Sequence, residues 1–202
     1  MRFDVVLAAS SSTCALLFCV LVVRAHSLRS DLDPLSASLS TYFTAPTRAL
    51  MFFAYVLLAM ALIAVAGEVV LIPGRPHVLS AICGGCCVLA AVNLVPVGMT
   101  ARKQLGDPDV RSPAAIKLHR VCALCAFVLI VAAMQLAAFA MLFSADIASV
   151  ESCAIIVSSL ALVNLYFVVT SIPGPHYGLI QKALVGLVVA WLLLVSVSVI
   201  RL

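Results

Sequence analysis

Charge is what this chain has least of: only 10% of its 202 residues are Asp, Glu, Lys or Arg, and eight of those are acidic. A water-soluble domain carries about 25% charged residues, so a soluble core of this size is excluded. Tryptophan occurs once. Gly-x-x-x-x-Gly-Lys loops, nucleophile elbows and His pairs on one helical turn are all missing, which removes the usual sequence grounds for nucleotide, hydrolase or zinc chemistry. The net charge of +4 sits between apolar runs rather than along one stripe, so no nucleic-acid partner is expected.

Long apolar runs take the place of charge, with 65% hydrophobic residues. A helix crosses a bilayer with about 20 mostly apolar residues, and six runs of that kind fit: 5–23, 49–72, 78–100, 118–143, 148–172 and 179–200. The expected fold class is all-α, an integral membrane bundle of six transmembrane helices forming a single domain over 1–202. Short links make consecutive helices antiparallel. The first run is longer than a signal-peptide core, and Val23-Arg24-Ala25 is a poor cleavage site, so it is read as a retained helix.

Basic residues set the expected orientation, because those near helix ends are held in the cytoplasm. Nine flank the odd-numbered loops (Arg24, Arg29, Arg48, Arg102, Lys103, Arg111, Lys117, Arg120, Lys182), and three lie on the other side (Arg2, Arg75, Arg201). The odd loops are therefore predicted cytoplasmic and both termini outside, in the plasma membrane of a bacterium or archaeon. Within the first loop, Asp33 is placed to cap a helix with Pro34 at its first position. Leu35, Leu39 and Tyr42 would then share a face, and a short interfacial helix is expected between helices one and two.

The odd-loop side collects His26, Asp31, Asp33, Asp107, Asp109, His119 and His176, with Asn93 and Asn164 deeper on the same side. Polar groups in hydrocarbon are costly and turn toward the bundle interior. A polar pocket opening to this face is expected, with His119, Asn93, Asn164 and Asp33 as substrate-binding residues. Three histidines without local ligand spacing predict no metal, and histidines at mid-depth on facing helices are lacking, so no haem or other cofactor is expected. Cys83/Cys86 and Cys122/Cys125 have the CxxC spacing that a membrane thiol oxidoreductase uses, but the commoner role is small-residue packing, helped by Gly84 and Gly85. Glu68, near Pro73, admits two readings, a member of a proton path or an interfacial carboxylate reaching water or Arg75, and its depth favours the second. Gln135 reads as an interhelical hydrogen-bonding residue, and Pro96 as a bend in helix three.

Three segments together resemble the membrane family named domain of unknown function 998. Asp33-Pro34-Leu35-Ser36-Ala37-Ser38-Leu39 is similar to its Pro-x-Ser-x-x-Leu element. Leu94-Val95-Pro96 is similar to its corner at the end of helix three, and Leu118-His119-Arg120-Val121-Cys122-Ala123 to its start of helix four. Val97 and Gly98 stand where the family corner continues to an Asp. The resemblance implies the six-helix fold, draws attention to Ser36, Pro96 and His119, and so adds Ser36 to the expected substrate-binding residues, but implies no activity.

The function expected from these residues is binding or transport of a membrane lipid or other amphiphile through a cytoplasm-facing polar pocket. The alternatives are a membrane-embedded lipid hydrolase or transferase using His119 with Asp107, Asp109 or Asp33, and an accessory subunit of a membrane complex. Binding is placed ahead of catalysis because no catalytic motif is present. A second copy of the chain, or another membrane protein, is left open as a partner.

Overall fold

The computed structural model describes residues 2–44, 46–71, 76–104, 113–142, 149–170 and 174–201, with the side chains of 101–104 set aside. Arg75, Asp107, Asp109 and Arg111 lie outside the described residues, as do the side chains of Arg102 and Lys103. Six α-helices follow in order: α1 (Phe3–Leu28), α2 (Arg48–Leu71), α3 (His77–Gln104), α4 (Pro113–Leu142), α5 (Ser149–Thr170) and α6 (Tyr177–Ile200). Each is long and apolar enough to cross a membrane, with a mean hydropathy of 2.2 to 2.7 in its best window. The described residues contain no strand.

Each helix packs on its neighbours in the chain, and α6 returns to α1, so the six form a closed ring. Across that ring α6 also meets α2 and α4. Small side chains line the contacts: Ala54, Ala61, Ala133, Ala137, Ala154 and Ala161 are fully buried. In lipid there is no hydrophobic gain from pairing helices, so close approach and van der Waals contact must hold them, and small residues permit that. Larger apolar side chains such as Val92, Val95, Met99, Leu162 and Phe167 point outward. Gly84 is one of the close approaches, since an added Cβ would stand 3.2 Å from the Ala66 carbonyl oxygen and from Val70 Cγ2. Gly85 faces open space, so only one glycine of the pair serves packing.

The first loop differs from its expected form. In place of a helix starting at Pro34 there are turns, followed by a four-residue 3-10 helix, Leu39–Tyr42. Asp33 Oδ1 does accept the Leu35 N–H, at 3.0 Å, but as a local turn. Backbone groups that a helix would use internally are bonded to α6 instead: Leu179 N–H donates to Leu35 O at 2.8 Å, and Leu39 N–H to Gln181 Oε1 at 2.9 Å. Leu39, Tyr42 and Phe43 face inward, whereas Leu35 is exposed, so the three expected residues do not share a face.

Candidate functional site at the odd-loop end

The first loop and the start of α6 build a polar cluster at this end. Gly178 makes it possible, because a Cβ there would collide with the Ala37 carbonyl oxygen and the Ser36 carbonyl carbon. Loop and helix backbones therefore touch directly. Lys182, one turn further along, donates from Nζ to Pro34 O at 2.6 Å and lies 5.3 Å from the centroid of the Tyr42 ring. A cation at that distance over an aromatic face is attracted by the ring quadrupole. Tyr42 also stacks against His26, with centroids 4.1 Å apart. His26 Nδ1–H donates back to Val22 O at 2.8 Å, which fixes the tautomer.

Asp33 and Ser36 meet in this cluster, the serine hydroxyl donating to Asp33 Oδ2 at 2.8 Å. The Leu35 N–H and the Ser36 hydroxyl hold the Asp33 carboxyl below the usual carboxylate range. Arg29 makes a forked pair with Asp31, both hydrogen bonds at 2.7 Å, and this lowers the Asp31 carboxyl as well. The described residues of this end are basic in balance, with Arg24, Arg29, Arg48, Lys117, Arg120 and Lys182 against Asp31 and Asp33.

The remaining expected site residues lie elsewhere. His119 is buried on α4, and its Nδ1–H is shared between Val97 O at 3.2 Å and Thr100 Oγ1 at 3.1 Å. Thr100 in turn donates to Pro96 O at 2.6 Å, so these groups tie α4 to α3 just past the helix-interior proline. Asn93, half-buried on α3, donates to Leu89 O of its own helix at 2.8 Å. Asn164 on α5 is half-buried, with its Oδ1 buried and without a hydrogen-bond partner among the described residues. Asp33 and Ser36 are thus brought together, while His119, Asn93 and Asn164 occupy three separate helices.

Gln135 donates to Ser158 O at 2.6 Å, joining α4 to α5 beside a groove of about 390 Å³ lined by Leu136, Phe139, Ile155 and Ser159. Cys83 and Cys87 are buried while Cys86 is half-buried, so the buried pair on α3 is spaced i, i+4 rather than CxxC. None of the described cysteines is in a disulfide. No three His, Cys, Asp or Glu side chains converge on a metal-sized site among the described residues. Sequence reasoning passed over Gln181 and Lys182 as members of the site. Polar residues in the first turn or two of an otherwise apolar helix were the available signal.

Six apolar helices in a closed ring, with a polar cap at one end, define a multi-pass helical membrane protein. The family model described as protein of unknown function (DUF998) matches residues 12–198, and the chain belongs to that family. No curated protein and no solved structure matches it.

Proposed function

We propose that the protein binds, and moves or presents, an amphiphile whose polar head carries both a cationic and an anionic group. The observation that supports this is the loop-one platform on α6, where Lys182 and Arg29 offer positive charge beside the exposed carboxylates of Asp33 and Asp31. Groups of both signs, held at the end of a spanning helix, match a zwitterionic headgroup at the level where lipid heads lie. Apolar outer helix faces accept the tail. In this reading Asp33 and Ser36 contact the head. His119 spends its Nδ1–H on the scaffold, as Asn93 does one of its amide N–H groups. The excess of basic residues makes this face cytoplasmic, by the charge rule.

The test is native mass spectrometry of the protein released from nanodiscs holding phosphatidylethanolamine and phosphatidylglycerol in equal amounts. Retention of phosphatidylethanolamine by the wild type, reduced several-fold in Asp33→Asn and Lys182→Gln, is expected. A bare chain, or equal retention by all three proteins, would overturn the assignment.

A further inference from the structure

At the opposite end of the bundle, Glu68 breaks the pattern of an apolar interior. It lies on α2 only three residues before the helix ends at Leu71, a rise of about 4.5 Å, yet its side chain is fully buried. The expected interfacial carboxylate is therefore a core residue facing α1 and α6. Ser196 on α6 donates to Glu68 Oε1 at 3.3 Å. Ser11 on α1 presents its hydroxyl to the same carboxyl group outside hydrogen-bonding geometry, and both Ser11 Oγ and Glu68 Oε2 are buried without a partner among the described residues.

An ionised carboxylate removed from water costs several kcal/mol unless a counter-charge or full hydrogen bonding compensates it. The described groups that face Glu68 carry no positive charge: hydroxyls from α1 and α6, and on α3 the Cys87 thiol as the titratable neighbour. Two hydroxyls satisfy at most part of what two ionised oxygens accept. The charge must therefore be removed by a bound proton or balanced by a small cation. Four oxygens from three side chains, one of them a carboxyl group close to a helix end, suit a proton better than a fully coordinated metal ion.

We infer that Glu68, with Ser11 and Ser196, is a proton-exchange site built into the junction of α1, α2 and α6, and that its protonation sets how closely these helices pack. A hydronium ion at the even-loop end donates the proton: one of its O–H bonds breaks, leaving water, as an O–H bond forms at Glu68. On release that bond breaks and the proton returns to water, with no change of oxidation state. The ionised form draws the two serine hydroxyls and water toward itself, which loosens the contact of α6 with α1. Ionisable residues inside membrane spans are typically found in proton relays and coupled carriers, and this placement has that character.

The test is infrared difference spectroscopy of the full chain in nanodiscs, titrated across pH in sodium-free buffer. A protonated-carboxyl C=O band that fades as the pH rises, shifts in D2O and is lost in Glu68→Gln is expected. Trp191, fully buried on α6 five residues before Ser196, is the only tryptophan and reports the packing. Its emission should shift over the same pH range, and the shift should vanish in Glu68→Gln. If Glu68→Gln does not fold, Glu68→Asp should move the band instead. A band present at every pH, absent at every pH, or removed by sodium at fixed pH would overturn the proposal. So would a band that appears only in Arg75→Gln, and a Trp191 emission that does not change with pH would overturn the link to packing. Phosphatidylethanolamine retention by Glu68→Gln separates this result from the fate of the headgroup site.

Discussion

The backbone N–H of Leu39 donates to the side-chain oxygen of Gln181 at 2.9 Å, joining residues 142 positions apart in a buried environment. This bond anchors the first loop to the start of α6. A buried donor that loses its acceptor carries the full cost of desolvation, about 1–3 kcal/mol. Gln181→Leu should therefore lower the stability of the bundle by that amount. Hydrogen exchange would show it as faster exchange over residues 33–43, with α3 and α4 unchanged. Unaltered protection of the loop would mean that Leu179 and Lys182 suffice to hold it.

Gly178 and Gly186 lie two turns apart on α6 and should respond in opposite ways to alanine. At Gly178 the new Cβ meets backbone of residues 36 and 37, which cannot rotate away, while at Gly186 nothing lies within 4 Å. Gly178→Ala should release the loop and make it sensitive to limited proteolysis. Gly186→Ala should be neutral or stabilise the helix by up to about 1 kcal/mol, the usual propensity difference. Thermal unfolding in detergent distinguishes the two.

The tie between His119 and α3 makes a different prediction. Replacing His119 by Leu removes the donor shared by Val97 O and Thr100 Oγ1 but leaves both able to bond within α3. The expected loss is about 1 kcal/mol, the net worth of an ordinary hydrogen bond. Headgroup retention should be unchanged. Loss of retention at unchanged stability would return His119 to the binding site.

Acid should loosen the first loop. The folded-state value of Asp33 is depressed by the hydrogen bonds from Leu35 and Ser36, so its contribution is present above the unfolded carboxylate value of about 3.9 and is lost as the pH falls through the lower folded value. Asp33 is exposed, so salt should weaken the effect. Hydrogen exchange over residues 33–38, corrected for intrinsic rates, should rise in that acid range for the wild type. In Asp33→Asn it should be already raised and independent of pH there.

Much of the fold was legible because the bilayer imposes it. Apolar runs of about 20 residues have no other stable state in lipid, so six helices and their order could be read before any contact was known. Helix ends were less visible: α1 continues through Arg24 and His26 to Leu28, and α4 starts five residues ahead of its apolar run, at Pro113. Long polar side chains reach the interface from such positions, so the hydropathy boundary and the helix boundary need not coincide. Of the candidate site, Asp33 stood out as a helix cap and Ser36 through the family resemblance, and the turn that joins them came only with the structure; Gln181 and Lys182 did not stand out, because nothing local names a partner in another helix.

The sequence by itself determined that this chain is a membrane bundle with its basic residues gathered at one end, since hydropathy and charge are properties of residues taken singly. Tertiary structure decided which polar groups meet. It turned the first loop onto α6 in place of forming a helix, because α6 supplied the hydrogen bonds that helix would have used. It also buried Glu68 between two serines where its position near a helix end suggested water, because the rotational setting of α2 against α1 and α6 is fixed only by packing.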